Sequence, residues 1–549
     1  MSTTATETPS ATPLQKVSVL TLAGMVVGSM VGGGVFTLPS GFGSATGVFG
    51  ALIAWTIAGF GMLMLAFVFQ TLALRKPELD NGIYVYAQAG FGNYAGFNAA
   101  WGYWASNVVG NVFFMTFAMA SIGAFVPGLG QGNTVLAVLL GSLGVWIFHI
   151  LISRGVRQAA VINRIVTIAK LVPILVFVVI AAVSFDAGIF TDNFWGGDAH
   201  TAGSLFDQVT DTMLITTFVF LGIEGASVYS RMARRREDVG RATILGFVST
   251  LALFASVTLV SYGVLPQKDL ASAKEPSMGV VLESVVGSWG ATFIDIGVII
   301  SVLGAYLAWT LLNAEVLYTP ARTEVMPRIL AKENANRTPI VALIVTNVSV
   351  QLFLLLVLVV DNALTFMLSL DTALTLVPYL LAAAYALKLT LTGETYDGAE
   401  AAGRRKQRVV AAIAVVYSLY LLYAAGPEFL LLGCIVYAPG TLLYLVARRE
   451  RGSGLRRRDL HPGRGRGVRA ALGTGDPRRD PHRDRRREGL TPWARWSCTP
   501  RYRWMASSRT TTTCPDRCST GSPAVTSPWT TADSSRCHRR RTTTPGPTG

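Results

Sequence analysis

From Lys16 to Glu450, apolar stretches of roughly 20 residues alternate with short clusters of charge, and a helix of that length crosses the ~30 Å hydrocarbon layer of a bilayer. The pattern predicts an all-α membrane protein of twelve spans, at about 17–39, 48–74, 94–122, 133–153, 160–185, 210–230, 241–265, 284–317, 339–359, 362–387, 409–424 and 427–447. Alternate connections carry Arg75 and Lys76; Arg154 and Arg157; Arg231, Arg234, Arg235 and Arg236; Arg322, Arg328, Lys332 and Arg337; then Arg404, Arg405 and Lys406. The connections between them hold no Lys or Arg over 123–132 and 186–208, and only Lys268 and Lys274 over 266–278. Basic loops stay in the cytoplasm, so both ends of the membrane domain are expected on that side of the cell membrane.

Two spans are interrupted by small residues. The first contains Gly28-Ser-Met-Val-Gly-Gly-Gly34 and ends at Val35-Phe-Thr-Leu-Pro39; the sixth contains Gly222-Ile-Glu-Gly-Ala226. Each glycine costs about 1 kcal/mol relative to alanine inside a helix, so this density predicts unwound backbone. Close packing of small residues against a neighbouring helix is the alternative. The interruptions fall at equivalent places in two sets of five spans, and an odd number per set inverts the second set in the membrane. Interrupted segments at matching positions of two halves point to a transporter binding site.

Composition separates the membrane part from the C-terminal tail. Charged residues make up only 14% of the chain and mean hydropathy is +0.45. The formal charge of +15 is concentrated in residues 452–549, which hold 21 Arg, no Lys and 7 acids. Three segments are therefore expected: a disordered cytoplasmic leader at 1–15, a membrane domain at 16–451, and an Arg/Pro/Thr-rich tail at 452–549 that is disordered or the product of a shifted reading frame. An arginine-rich binding arm and a zinc site at Cys514, Cys518, Cys537 and His538 are the competing readings of the tail. No nucleic-acid partner, metal or cofactor is expected, and no disulfide framework is legible in the five cysteines. Residues 1–451 contain no nucleotide-binding loop, metal cluster or nucleophile triad, which argues against an enzyme.

Unwound backbone at mid-membrane exposes N–H groups at one half-helix end and carbonyls at another, which receive an anionic and a cationic group respectively. Gly32, Gly33 and Gly34 leave room for a carboxylate to reach the backbone, and carbonyls near Met30 and Leu221 face an ammonium. Such a site suits the head group of an α-amino acid. Intramembrane charge marks function by default. Glu224 lies beside the second break, either as a functional acid or as a structural partner of the freed backbone. Asp371 lies in LSLDTALTLVPY, facing a substrate cation or marking a helix end near the outer surface. Lys170, in IVTIAKLVP, either lies buried or snorkels to the cytoplasmic interface. Glu315 is expected to be hydrated near the cytoplasmic end, and His149 to be interfacial.

The segments GSMVGGGVFTLP, GYWASNVVGN, TFVFLGIEGASVYS, LAWTLLNAE with Thr338-Pro339, and TLVPYL resemble the amino acid–polyamine–organocation transporters. Within them the chain is most similar to the basic amino-acid antiporters, in the branch of arginine/ornithine antiporters and lysine permeases. The resemblance covers roughly residues 15–450 and implies a five-plus-five inverted-repeat fold with two further helices and broken helices 1 and 6. It also implies roles: the carboxylate-binding turn at Gly32, Gly33 and Gly34, an aromatic gate at Phe218, a gate acid at Glu224, an aromatic floor at Trp309, an outer gate aromatic at Tyr103 and a polar contact at Asn111. Phe218 departs from the indole of the arginine/agmatine members, and Asp371 takes the place of their small hydroxyl, where a carboxylate pairs with a cationic side chain. Lys170 takes the position of the sodium of ion-coupled relatives.

The function implied is exchange of basic amino acids across the cytoplasmic membrane, arginine against ornithine, with lysine as a further substrate. A proton-coupled lysine or arginine permease is the alternative within the class, and a non-transporting amino-acid sensor the alternative outside it. The lipid bilayer is the one other expected partner, and the oligomeric state is left open.

Overall fold

Hydrocarbon offers no partner to a free peptide group, and the chain answers with helices throughout. The structure is a computed structural model that describes residues 18–79, 82–155, 159–196, 201–225, 236–396 and 403–459. Among them there is no strand. Helix α1 (Val19–Met30) starts at Ser18, whose hydroxyl accepts the Thr21 N–H at 3.2 Å, and ends at Val31 in extended conformation. A 3-10 turn (Gly34–Thr37) comes next and leads into α2 (Leu38–Ala45), which has Pro39 in its first turn, where a missing N–H does no harm. The two parts of this first span meet at a bend of 57°. The expected interruption is present, and the outer part runs six residues beyond the expected end at Pro39.

The next helices are α3 (Val48–Arg75), the short α4 (Ile83–Phe91), α5 (Asn93–Gly123), α6 (Val135–Ser153) and α7 (Ala159–Val183). Surface helix α8 (Ala187–Asp192) precedes α9 (Ala202–Asp211) and α10 (Met213–Phe218), after which the chain turns irregularly through 219–224. Gly222 has φ +100°, a left-handed conformation that favours glycine, so the second interruption is also present. The continuation of this sixth span, from 226 to 235, lies outside the described residues. Then come α11 (Arg236–Tyr262), the short α12 (Gln267–Ala271) and α13 (Ser277–Val286), the long α14 (Ser288–Arg322), α15 (Ile340–Leu356), α16 (Ala363–Thr392), α17 (Arg404–Ala424) and α18 (Gly426–Asp459). Helix α18 continues past the domain boundary expected at 452; the rest of the tail and the leader lie outside the described residues.

Nine helices among the described residues are long and apolar enough to cross a membrane, or ten when the bent first pair is one span. The ninth expected span appears as α15, which at 17 residues falls short of that length, and the sixth is divided. Helix α5 is the innermost element, buried along almost its whole length, whereas α18 is largely exposed. It packs along both α14 and α16. Glycines let large aromatics approach it and its neighbours: Gly102 lies under Tyr437, Gly61 under Tyr417, and Gly440 under Trp101. The outer helices turn side chains such as Leu139, Val183, Val416 and Leu442 outward, as a lipid-facing surface requires.

Candidate functional site

The two interruptions meet. A Cβ on Gly222 would stand 2.3 Å from the carbonyl oxygen of Ser29, so the irregular turn of the sixth span lies directly on the end of α1. The three glycines after α1 have separate surroundings. A side chain at Gly33 would collide with Val302 and crowd Phe113 and Phe117, and one at Gly34 would collide with the ring of Phe218. Gly32 meets nothing closer than the Met30 carbonyl at 4.0 Å and faces open space. Packing and accessible backbone are thus both present, at different glycines of one turn. The N–H groups of Gly32 and Gly33 donate to no acceptor among the described residues.

A cavity of about 1230 Å³ opens beside this turn. Its lining includes Met30, Gly32, Gly33, Gly34, Tyr103, Lys170, Phe218, Leu221, Glu224, Trp309 and Asp371, so ten positions read from the sequence, and the Lys170 reading with them, converge on one space. Asn111 is the exception. It is fully buried between α5 and α14, where its amide nitrogen donates to Thr310 Oγ1 at 3.3 Å, and it does not line the cavity. Asn107, one turn earlier on α5, lines the cavity instead, beside the Tyr103 hydroxyl.

Glu224 is held on three sides. Tyr103 Oη donates to its Oε1 at 2.5 Å, Tyr379 Oη donates to its Oε2 at 2.5 Å, and the Gly222 N–H donates to Oε2 at 3.2 Å. One acid thereby ties α5, α16 and the second break together, as the structural reading of it expects. Tyr379 belongs to the TLVPYL segment, yet nothing in an apolar run marks one tyrosine as a partner of an acid 155 residues away.

Asp371 lies within α16, only 5% exposed, and not at a helix end. Ser106 Oγ donates to its Oδ1 at 2.5 Å and stands 2.5 Å from Thr375 Oγ1. Lys170 lies mid-way along α7, 8% exposed, with its Nζ 3.4 Å from the Gly28 carbonyl of α1. It reaches inward to the first span and does not snorkel. Glu315 is exposed and lines the cavity, in keeping with the hydrated place expected for it, while His149 Nδ1 stands 2.9 Å from the Asn347 amide and belongs to helix packing. Among the described residues there is no group of side chains able to hold a metal ion.

Two facing helix breaks beside a cavity, inside a shell of membrane-length helices, are the build of a transporter and make this a multi-pass membrane protein. The chain belongs to the amino acid permease family, whose model matches residues 17–428. It is 47% identical over 444 residues to the arginine/ornithine antiporter of Pseudomonas aeruginosa, covering 80% of this chain and 92% of that one. It is 41% identical over 450 residues to the L-lysine transport protein of Corynebacterium glutamicum, covering 79% and 90%. The arginine/agmatine antiporter of Chlamydia abortus is 38% identical over 436 residues, covering 78% and 90%.

Proposed function

We propose that this chain exchanges basic amino acids across the cytoplasmic membrane, taking up arginine against ornithine, as a twelve-span inverted-repeat antiporter with both ends of its membrane domain in the cytoplasm. The observation that carries the reading is Asp371, a carboxylate inside the cavity that also exposes the Gly32 and Gly33 N–H groups. Those N–H groups suit the substrate carboxylate, the Met30 and Leu221 carbonyls its ammonium, and Asp371 its side-chain cation, with Trp309 and Phe218 as aromatic faces worth about 0.5–2 kcal/mol each. Asn107 supplies a further donor. The names carried by the relatives support the same substrate class.

The site also gives a reason for exchange. A carboxylate buried without a counter-ion is expensive, so an empty carrier that occludes Asp371 passes through a costly state. A cationic substrate removes that cost in both directions of the cycle, and the return trip is fastest when loaded. Glu224, clamped by Tyr103 and Tyr379, joins helices that must separate for a substrate to pass and so acts as the gate. Lys170 places its ammonium on the Gly28 carbonyl, where it serves in place of a sodium ion. The cavity reaches Lys76, Tyr84 and Thr319, on the side of the basic loops, which supports a form open toward the cytoplasm.

Purified protein in liposomes loaded with ornithine should take up labelled arginine, and empty liposomes should not. Uptake that needs an imposed proton gradient and no internal amino acid would favour a lysine-type permease. Binding without any uptake would favour a sensor.

A further inference from the structure

The cavity is larger than a ligand the size of an amino acid needs: about 1230 Å³, where sites for drug-sized molecules occupy roughly 300–1,000 Å³. Its wall on α14 is a continuous stripe at helical spacing, through Gly304, Ala308, Trp309, Leu312, Glu315 and Thr319. Six residues at a rise of about 1.5 Å put Glu315 some 9 Å along the axis from Trp309, toward the basic loops. A substrate seated on Trp309 and Asp371 leaves that mouth segment free.

We infer that the mouth segment is a second recognition site, centred on the Glu315 carboxylate, for the side-chain cation of the amino acid entering from the cytoplasm. The inference rests on the exchange reading given above. Glu315 forms no ion pair among the described residues. The two cations that share the cavity are engaged elsewhere: Lys170 points to the Gly28 carbonyl, and Lys76 Nζ lies 2.5 Å from Glu394 and 3.8 Å from Glu78. At longer range Glu315 feels Arg322 and Glu333, one of each sign, and both turn to Tyr318: the Arg322 guanidinium lies 5.7 Å over its ring, and Glu333 accepts from its hydroxyl.

The surroundings give this acid a task. Orientation in the membrane demands arginine and lysine on the cytoplasmic loops, and Arg322, Arg328, Lys332 and Arg337 cluster at the end of α14 and in the loop after it. A cationic amino acid arriving from that side meets like charge. An exposed carboxylate at the rim of a cleft with low-dielectric walls focuses an attractive field on the entrance. One carboxylate beside the Thr319 hydroxyl suits a guanidinium or ammonium group and supplies too few oxygens for a metal ion.

The test compares the two faces of the protein. In right-side-out membrane vesicles, Glu315→Gln should raise the internal ornithine concentration for half-maximal exchange about tenfold at low salt and leave the external arginine value within about twofold, the difference shrinking near ~0.5 M salt as screening removes it. Glu315→Asp keeps the charge and should restore most of the internal value, which separates loss of charge from loss of fold. An unchanged internal value in Glu315→Gln overturns the site. So does an equal rise on both faces, which would place Glu315 in the central site. Wild-type vesicles that exchange no basic amino acid would instead remove the reading beneath it.

Discussion

Asp371 sits where α5 and α16 touch, and its place there depends on a residue that has no side chain. A Cβ built on Gly110 would stand 2.6 Å from Asp371 Oδ2, inside the carboxylate. Asp371→Asn should weaken arginine and ornithine binding at least tenfold, on the order of 1.4 kcal/mol, measured by calorimetry in detergent. Unchanged affinity would mean that the carboxylate takes no part in binding. Gly110→Ala should produce the same loss with Asp371 intact, by pushing the carboxylate off Ser106, while binding of the neutral analogue citrulline changes little. Charges are easy to find in the sequence, because Glu224, Asp371 and Lys170 each stand alone in an apolar run. Their uncharged partners are not: Ser106, Tyr379 and Asn107 are ordinary residues of membrane helices, and only the rotation of α5 decides that Asn107 and not Asn111 meets the cavity.

At the scale of elements, the outer part of the first span is fastened to the hairpin formed by α12 and α13. A side chain on Gly43 would collide with Leu270, Ser277 Oγ donates to the Phe36 carbonyl at 3.2 Å, and the Ser40 N–H donates to Ser277 Oγ at 3.3 Å. Glu275 closes the joint: it accepts from the Ser40 hydroxyl and from the Ser277 N–H at 2.8 Å, while its own N–H donates to Gln131 Oε1 at 2.9 Å. None of these facing groups titrates. Burial pushes the Glu275 carboxyl up to about 7, against the opposing effect of its hydrogen bonds. In a released, hydrated hairpin the carboxyl returns to the ordinary glutamate range near ~4.3. The fastened state therefore binds a proton more tightly, is favoured fully below that ordinary value, and loses the advantage as pH rises through about 7. Arginine uptake should accordingly slow as external pH falls from about 8 to about 6, and Glu275→Gln should flatten that dependence. A wild-type profile that is already flat at fixed internal pH would rule out the joint as a pH-sensitive element. Neither Glu275 nor its joint stands out in the sequence, since an acid before a proline in a polar loop is ordinary.

For the whole molecule, most of the helical plan is readable from one property, the length of apolar runs between charges. That property also sets its limits. Glycine clusters, which are rare inside helices, mark both interruptions, but apolar length cannot separate a full span from α15 or recognise that α9 and α10 divide the sixth. Nor does it reveal that α18 continues to Asp459, because arginine-rich sequence reads as solvated whether or not it is helical. The last described part of α18 is tied to the loop after α14: the Arg328 N–H donates to Glu450 at 2.9 Å, and the Arg451 guanidinium donates to the Glu324 carbonyl. Every residue assigned to the cavity precedes that point. Deleting residues 460–549 should leave arginine–ornithine exchange at the full-length rate, whereas cutting before Glu450 should lower the thermal midpoint of the purified protein. Loss of exchange on the first deletion would give the tail a function.

The contact between Gly222 and Ser29 has a mechanical meaning. The first span is a bent pair of levers, and the turn of the sixth span touches it at the elbow, beside the cavity. A pivot set midway lets one small rotation close one entrance while it opens the other, so the two doors cannot stand open together. The machine leaks least when its hinge and its cargo occupy the same place, and any side chain at position 222 would wedge the elbows apart.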